Sequence, residues 1–291
     1  MIEHILGNYF VRKNLLSQDQ LDHILKRQSE AKVRLGTIAV SEGMMTEEEA
    51  ETVNMLQQSI DKHFGDIAVD LGYLTNVQVK ALLSEQQNSF ILFMQTIGDE
   101  KLMDASGFKR AIKQYQKDYG VTTARLEAMK SDDISAIVMT CLLGHSIHFE
   151  RHASIGVRLM TRLVDKDICI GDAYTTDGSE KLCAGMYQHI IGTRSYFTGF
   201  SNCDGGLREI AKGFARDQYE EDEMFINDAA GEFLNCINGL FITTASREGE
   251  NFDAEPQCYA DADELSSVTG RRTLHIPIYC KKSGVEFIFS E

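Results

Sequence analysis

At 291 residues the chain has room for one large or two ordinary domains, each with its own core. Its 43% hydrophobic and 25% charged residues exclude a disordered chain, and no apolar run approaches bilayer-spanning length, which excludes membrane insertion. A formal charge of −15 disfavours a nucleic-acid polymer as partner, yet leaves room for one small anionic ligand held by a local Arg.

The opening MIEHILGNYF lacks the basic start and long apolar core of a signal peptide, and a cytoplasmic location is expected. Seven cysteines are scattered beyond residue 140 without a CxxC pair. Reduced core thiols are expected, with neither a zinc cage nor a disulfide framework.

The first half repeats itself. Ile5-Leu6-Gly7, Arg34-Leu35-Gly36 and His63-Phe64-Gly65 recur at a constant step of 29 residues. Each block runs through a Gly or Asn and an apolar pair (Leu15-Leu16, Met44-Met45, Tyr73-Leu74) to a helix closing in Gln28, Gln57 or Gln86. Ser17, Thr46 and Thr75 precede acidic or amide residues, the pattern of a helix N-cap. LGTIAVSEG and FGDIAVDLG read as short first helices broken at Gly43 and Gly72. A weaker fourth echo at Leu102-Met103, Phe108 and Ile112 lacks the leading glycine motif. Stacked units of this period share a core, so an all-α helical-repeat domain is predicted over 1–95, with blocks 5–28, 34–57 and 63–86.

This pattern resembles the N-terminal domain of the type II secretion and type IV pilus ATPases GspE and MshE. Their tandem form, two motifs joined by a five-residue spacer, binds cyclic di-GMP, and residues 58–62 stand where that spacer falls. The resemblance implies a nucleotide site at Arg34, Leu35, Gly36, His63, Phe64 and Gly65, the Arg reading the base and Leu and Gly allowing close backbone approach. Only Arg34 matches in full. Ile5 and His63 replace the other arginines, and Ala50 and Asn54 stand where the motif has leucines. A structural or protein-docking role is the alternative.

Residues 96–146 read as a helical connector: Gly120 ends one helix, Thr122 or Thr123 caps the next, and Ser131 with two aspartates starts another. A third region, 147–291, mixes both periodicities. A helix is predicted over 154–164, then strands CAGMYQHIIG and RSYFTGFS joined at Gly192-Thr193. Helices follow over 205–219 and 225–246, then strands TLHIPIYC and VEFIFS about a Lys282-Ser283-Gly284 turn. The class is α+β: a C-terminal antiparallel sheet with two long packed helices, preceded by the all-α domain. Pro277 predicts an edge or a bulge in its strand. His145, His148 and His152 read as exposed or core histidines rather than metal ligands.

The helix over 225–246 carries polar residues that a buried helix does not need. Ile226, Ala230, Phe233, Ile237 and Phe241 form an apolar stripe, while Asp228, Glu232, Asn235 and Gly239 fall along the other side. Asn235 and Asn238 are mediocre helix formers in mid-helix, a local inconsistency of the kind found at functional sites. The run from Gly205 to Gly239, with LREIAKGF, an acidic turn and DAAGEFLNCING, resembles the signature of the CheX/CheC chemotaxis phosphatases, whose hallmark is E-x-x-N on a helix. One such motif, where CheC-type members carry two, points to the CheX-type branch, and Glu150-Arg151-His152-Ala153 lacks the Asn of a second copy.

The resemblance implies hydrolysis of the aspartyl phosphate of a CheY-like receiver domain. Asn235 would position water, Glu232 would pair with a receiver lysine, and Asp228 and Gly239 would serve docking. It implies no metal or cofactor on this chain, Mg²⁺ in the receiver, and a homodimer through the sheets. The alternative is a non-catalytic receiver-binding or cyclic di-GMP-responsive adaptor.

Overall fold

The computed structural model describes the chain except for residues 29–32, 58–62, 85–88, 178–180, 270–271 and 281–282. Gln86, the 58–62 spacer and Lys282 of the terminal turn lie outside the described residues. Two compact units emerge, residues 2–131 and 132–291, and the 96–146 segment is shared between them.

The first unit holds α1 (Ile2–Arg12), α2 (Gln18–Gln28), α3 (Leu35–Ser41), α4 (Glu47–Gln57), α5 (Phe64–Asp70), α6 (Asn76–Ser84), α7 (Ser89–Asp99), α8 (Ala105–Tyr119) and α9 (Thr123–Lys130). The repeat is legible in the backbone. Asn14, Gly43, Gly72 and Lys101, each 29 residues after the last, adopt φ of 56°, 67°, 76° and 55° between the helices of a pair. Just before each, the carbonyls of Phe10, Ala39, Ala68 and Ile97 accept an N–H from five residues ahead, at 2.8, 2.8, 2.9 and 3.1 Å. This is a left-handed helix stop, repeated within each of the four pairs. The next helix of three pairs begins with a reciprocal cap. Ser17 and Gln20, Thr46 and Glu49, and Thr75 and Gln78 exchange side-chain and backbone hydrogen bonds. In the fourth, Asp104 Oδ1 accepts the Gly107 N–H at 2.6 Å. The fourth echo is therefore a full structural unit, obscured in sequence because Met94 stands where Gly7, Gly36 and Gly65 lead the other blocks.

The second unit runs α10 (Ile134–Cys141), α11 (Glu150–Leu163), β1 (Cys169–Ile170), β2 (Tyr174–Thr176), β3 (Gly185–Gly192), β4 (Tyr196–Asp204), α12 (Gly206–Ala215) and α13 (Glu223–Arg247). It closes with β5 (Phe252–Ala254), β6 (Cys258–Ala260), α14 (Ala262–Val268), β7 (Thr273–Cys280) and β8 (Ser283–Ser290). Among the described residues these strands pair antiparallel, in the order β1-β7-β8-β4-β3-β5, with β2 also on β7 and β6 also on β3. The α+β class with packed α12 and α13 stands, and α11 joins them in the helical layer. Alternate strand residues serve opposite faces. Phe200, Phe287 and Phe289 form an aromatic core beneath the helices, while Ile288 faces away and packs with Leu182, Ala260 and Leu265 of α14.

Gly156 lets α11 lie on that core. A Cβ there would stand 2.4 Å from Cε1 of the fully buried Phe287 ring. Gly156→Ala is expected to cost about 1–3 kcal/mol, since a locked ring cannot yield. A denaturant midpoint equal to the parent's would contradict this packing.

Two expectations are corrected and a third is narrowed. α11 starts at Glu150 rather than 154, which brings His152 into a helix. Of the two alternatives for Pro277 the edge is excluded, since β7 is an interior strand, and the bulge holds. Between the Ile170–Ile278 and Tyr174–His275 pairs three residues (171–173) oppose two (276 and 277). The Pro277 carbonyl accepts from Gly171 N at 2.8 Å in the gap between β1 and β2, so its missing N–H faces an interruption and no bond to β8 is lost. Two cysteines are not reduced: Cys183 and Cys203 form a disulfide. The β3–β4 register pairs Gly185 with Ser201 and so sets residue 183 opposite 203, with Cα atoms 5.2 Å apart. That register is invisible in linear sequence. Cys141, Cys169 and Cys280 are buried thiols as expected, whereas the Cys236 and Cys258 thiols are exposed.

Candidate functional site

The site is built on α13. Asp222 caps it, its carboxylate accepting the Phe225 N–H at 3.0 Å, and Ala230, Phe233, Ile237 and Phe241 are buried toward the sheet. Asp228, Glu232, Asn235 and Gly239 are exposed, and a Cβ on Gly239 would meet nothing within 4 Å. Glu232 and Asn235 lie one turn apart on the open side of a helix whose other side is clamped.

Neither side chain hangs free. Gln257 Nε2 donates to Glu232 Oε1 at 3.0 Å. Gln188 of β3 donates from Nε2 to Asn235 Oδ1 at 3.1 Å and to the Glu255 carbonyl at 2.7 Å. Gly231 of α13 faces Met186 of β3 here. A Cβ there would stand 2.8 Å from Met186 Cε.

Behind Gln188 runs a buried polar line. Asn238 Nδ2 donates to Gln188 Oε1 at 2.6 Å, Asn238 Oδ1 meets His152 Nε2 at 2.8 Å, and His152 Nδ1 meets the Tyr196 hydroxyl at 2.8 Å. Exposure is 2% at Gln188, 0% at Asn238 and 1% at His152, so an unmade bond here would carry a full desolvation penalty. The donors follow by elimination. A backbone carbonyl only accepts, so Gln188 turns Nε2 to Glu255 and Oε1 to Asn238. Asn238 then offers Oδ1, His152 must carry its proton on Nε2, and Tyr196 donates to Nδ1. Burial drives the His152 pKa down to about 3, with Arg151 pushing the same way against the Asn238 hydrogen bond, so the ring is neutral. Its ring stacks on Phe241, centroids 4.1 Å apart. Every bond in the line points outward, and Asn235 ends it with its carbonyl engaged and its Nδ2 free to face solvent.

Sequence reading missed Gln188, Tyr196, Glu255 and Gln257. One signal was available: Gln188 sits between Met186 and Ile190 at an inward register position of β3, where an amide needs a partner. Asn238, an oddity in mid-helix, is that partner. His148 makes no bond to this line and pairs with Glu291 at 3.0 Å.

In the first unit the two motif triplets meet, but by packing. A Cβ on Gly36 would stand 2.8 Å from Phe64 Cζ, and one on Gly65 would stand 2.8 Å from Val79 Cγ1 and 3.3 Å from Leu35 Cδ2. Leu35 is buried and His63 exposed. The Arg34 guanidinium pairs with Asp99, and its backbone N–H donates to Gln95 Oε1 at 2.8 Å. A cavity of about 260 Å³ beside Arg34 is also lined by Glu47, Glu51, Asp99 and Asp104, which makes its wall acidic. Among the described residues, no cluster of three or more His, Cys, Asp or Glu is placed to hold a metal ion, and no helix is long and apolar enough to cross a membrane.

No protein-family model matches the chain, and no curated protein matches it. Solved structures do. A chemotaxis protein CheX from Desulfovibrio desulfuricans is 16% identical, with 48% of this chain and 96% of that one covered and a TM-score of 0.41. A putative chemotaxis protein from Desulfovibrio vulgaris Hildenborough is 16% identical over 51% of this chain and 97% of that one, TM-score 0.42. The CheX–CheY–BeF3–Mg²⁺ complex from Borrelia burgdorferi is 15% identical over 49% of this chain and 96% of that one, TM-score 0.41.

Proposed function

We propose that the second unit hydrolyses the aspartyl phosphate of a CheY-like receiver domain, α13 entering the receiver's site with Asn235 and Glu232 foremost. The observation that carries this reading is an exposed carboxylate and an exposed carboxamide one turn apart, the carboxamide held in one orientation from behind. The E-x-x-N signature supports it as well.

An aspartyl phosphate is a reactive anhydride, and Mg²⁺ held by the receiver would neutralise charge developing on phosphorus. What remains to be supplied is an oriented water. Asn235 Oδ1, already bonded to Gln188, keeps a second lone pair that accepts a proton of one water, while Nδ2 donates toward a phosphoryl oxygen. Glu232 pairs with a receiver lysine and sets the docking angle. Water attacks phosphorus, the P–O bond to the aspartate breaks, and inorganic phosphate and a free carboxylate leave.

Incubating the full chain with a CheY-like receiver charged by acetyl phosphate tests this. Phosphate decay is expected to accelerate over the receiver alone, and undiminished lifetime despite measurable binding would leave an adaptor instead. Glu232→Lys is expected to weaken binding to a beryllofluoride- and Mg²⁺-loaded receiver about tenfold or more, because like charges then face each other. Unaltered affinity in a titration would remove the docking role.

A further inference from the structure

Gln188 takes no part in any sequence motif, lies on a strand rather than on α13, and is almost fully buried, yet it bonds the outermost amide of the site. A glutamine whose only task was to fill a sheet–helix gap would be replaceable by an aliphatic residue at no polar cost. Here it is the junction of four groups: Asn235, Asn238, the Glu255 carbonyl and, through Asn238, His152. An isolated Asn on an exposed helix face samples several rotamers, and its oxygen and nitrogen exchange places by a half-turn about the last bond. The donor at Gln188 Nε2 permits only one of those two faces. An Asn235 turned over would set N–H against N–H.

We infer that Gln188 is a positioning residue for the reaction proposed above, holding Asn235 with its carbonyl inward and its amide nitrogen toward the receiver, and that Asn238, backed by His152, fixes Gln188 in turn. This rests on the phosphatase reading for its consequence, though not for its geometry. The buried line explains why a mid-helix asparagine and a core histidine accompany the exposed pair: orientation of a surface amide is set by bonds that solvent cannot compete for.

The test uses two variants of the full chain, Gln188→Met, which keeps the shape and removes the amide, and Asn238→Leu, which removes the partner that aligns it. Should one fail to fold, judged by its unfolding transition, the other carries the measurement. In the absence of receiver, side-chain amide relaxation of Asn235 is expected to change from ordered in the parent to mobile, with an order parameter below about 0.6. With a charged receiver, kcat is expected to fall about tenfold or more at unchanged KM, since a misdirected carboxamide spoils the attack and not the docking. An Asn235 amide as ordered in Gln188→Met as in the parent overturns the inference, as does an unchanged kcat where Asn235→Ala is inactive. If Asn235→Ala itself leaves decay untouched, the phosphatase reading falls, while the relaxation measurement still decides whether Gln188 holds the amide.

Discussion

Asn235→Ala is expected to return a phosphorylated receiver to its unassisted lifetime, a loss of about 100-fold or more in the accelerated rate, because the oriented water disappears with the amide. Stability is expected to change by no more than about 0.5 kcal/mol, or about 1–2 °C in Tm. The site allows this separation. Asn235 is exposed, and Gln188 Nε2 keeps its bond to the Glu255 carbonyl when Oδ1 is removed. Decay as fast with the variant as with the parent, in side-by-side time courses with one charged receiver, would remove Asn235 from the chemistry.

The second large effect concerns His152 and pH. In the folded chain burial holds its pKa near 3, against 6.5 for an ordinary histidine. Below pH 6.5 the unfolded chain therefore takes up a proton that the native chain refuses until about pH 3. The native state is fully favoured above that window and loses stability as pH falls through it, by up to about 1.4 kcal/mol for each pH unit. His152→Phe cannot titrate. It also strands the Tyr196 hydroxyl and Asn238 Oδ1, so at pH 7 it is expected to be less stable than the parent by about 2–5 kcal/mol. As the buffer is acidified toward pH 4.5 the two are expected to converge. Denaturant midpoints at pH 7, 5.5 and 4.5 measure the gap, and a gap constant with pH would mean that His152 is not held neutral. Other acid-sensitive groups, such as Glu286, whose bonds to His275 and Tyr174 outweigh the effect of burial and lower its pKa, cancel in the difference.

How much of this was readable beforehand varies with the range of the interaction. The left-handed stops at Asn14, Gly43 and Gly72 and the caps at Ser17, Thr46 and Thr75 were readable because each is settled within about five residues. Met94, in place of a leading glycine, hid the fourth unit, and the left-handed φ of 55° at Lys101 is a conformation that a lysine rarely adopts. The exposed face of α13 was readable from helical period alone, down to Asp228, Glu232, Asn235 and Gly239. Its partners were not. Nothing local to Gln188 says that it lies under a residue 47 positions later, and nothing local to His152 says that it lies beside one 86 positions later.

Short-range physics thus settled, from residue order, the repeat helices with their stops and caps, the strands β3, β4, β7 and β8, and which side of α13 stays wet. The start of α11, the short strands β1, β2, β5 and β6 and the helix α14 went unread. Long-range pairing settled the rest: the register that joins Cys183 to Cys203, the interior place of Pro277, and the buried line that aims Asn235. The reason is that strand register and helix-on-sheet docking depend on surfaces contributed by distant segments. A one-residue slip of β3 would turn Gln188 to the opposite face and leave Asn235 without its holder, though every local preference would remain satisfied.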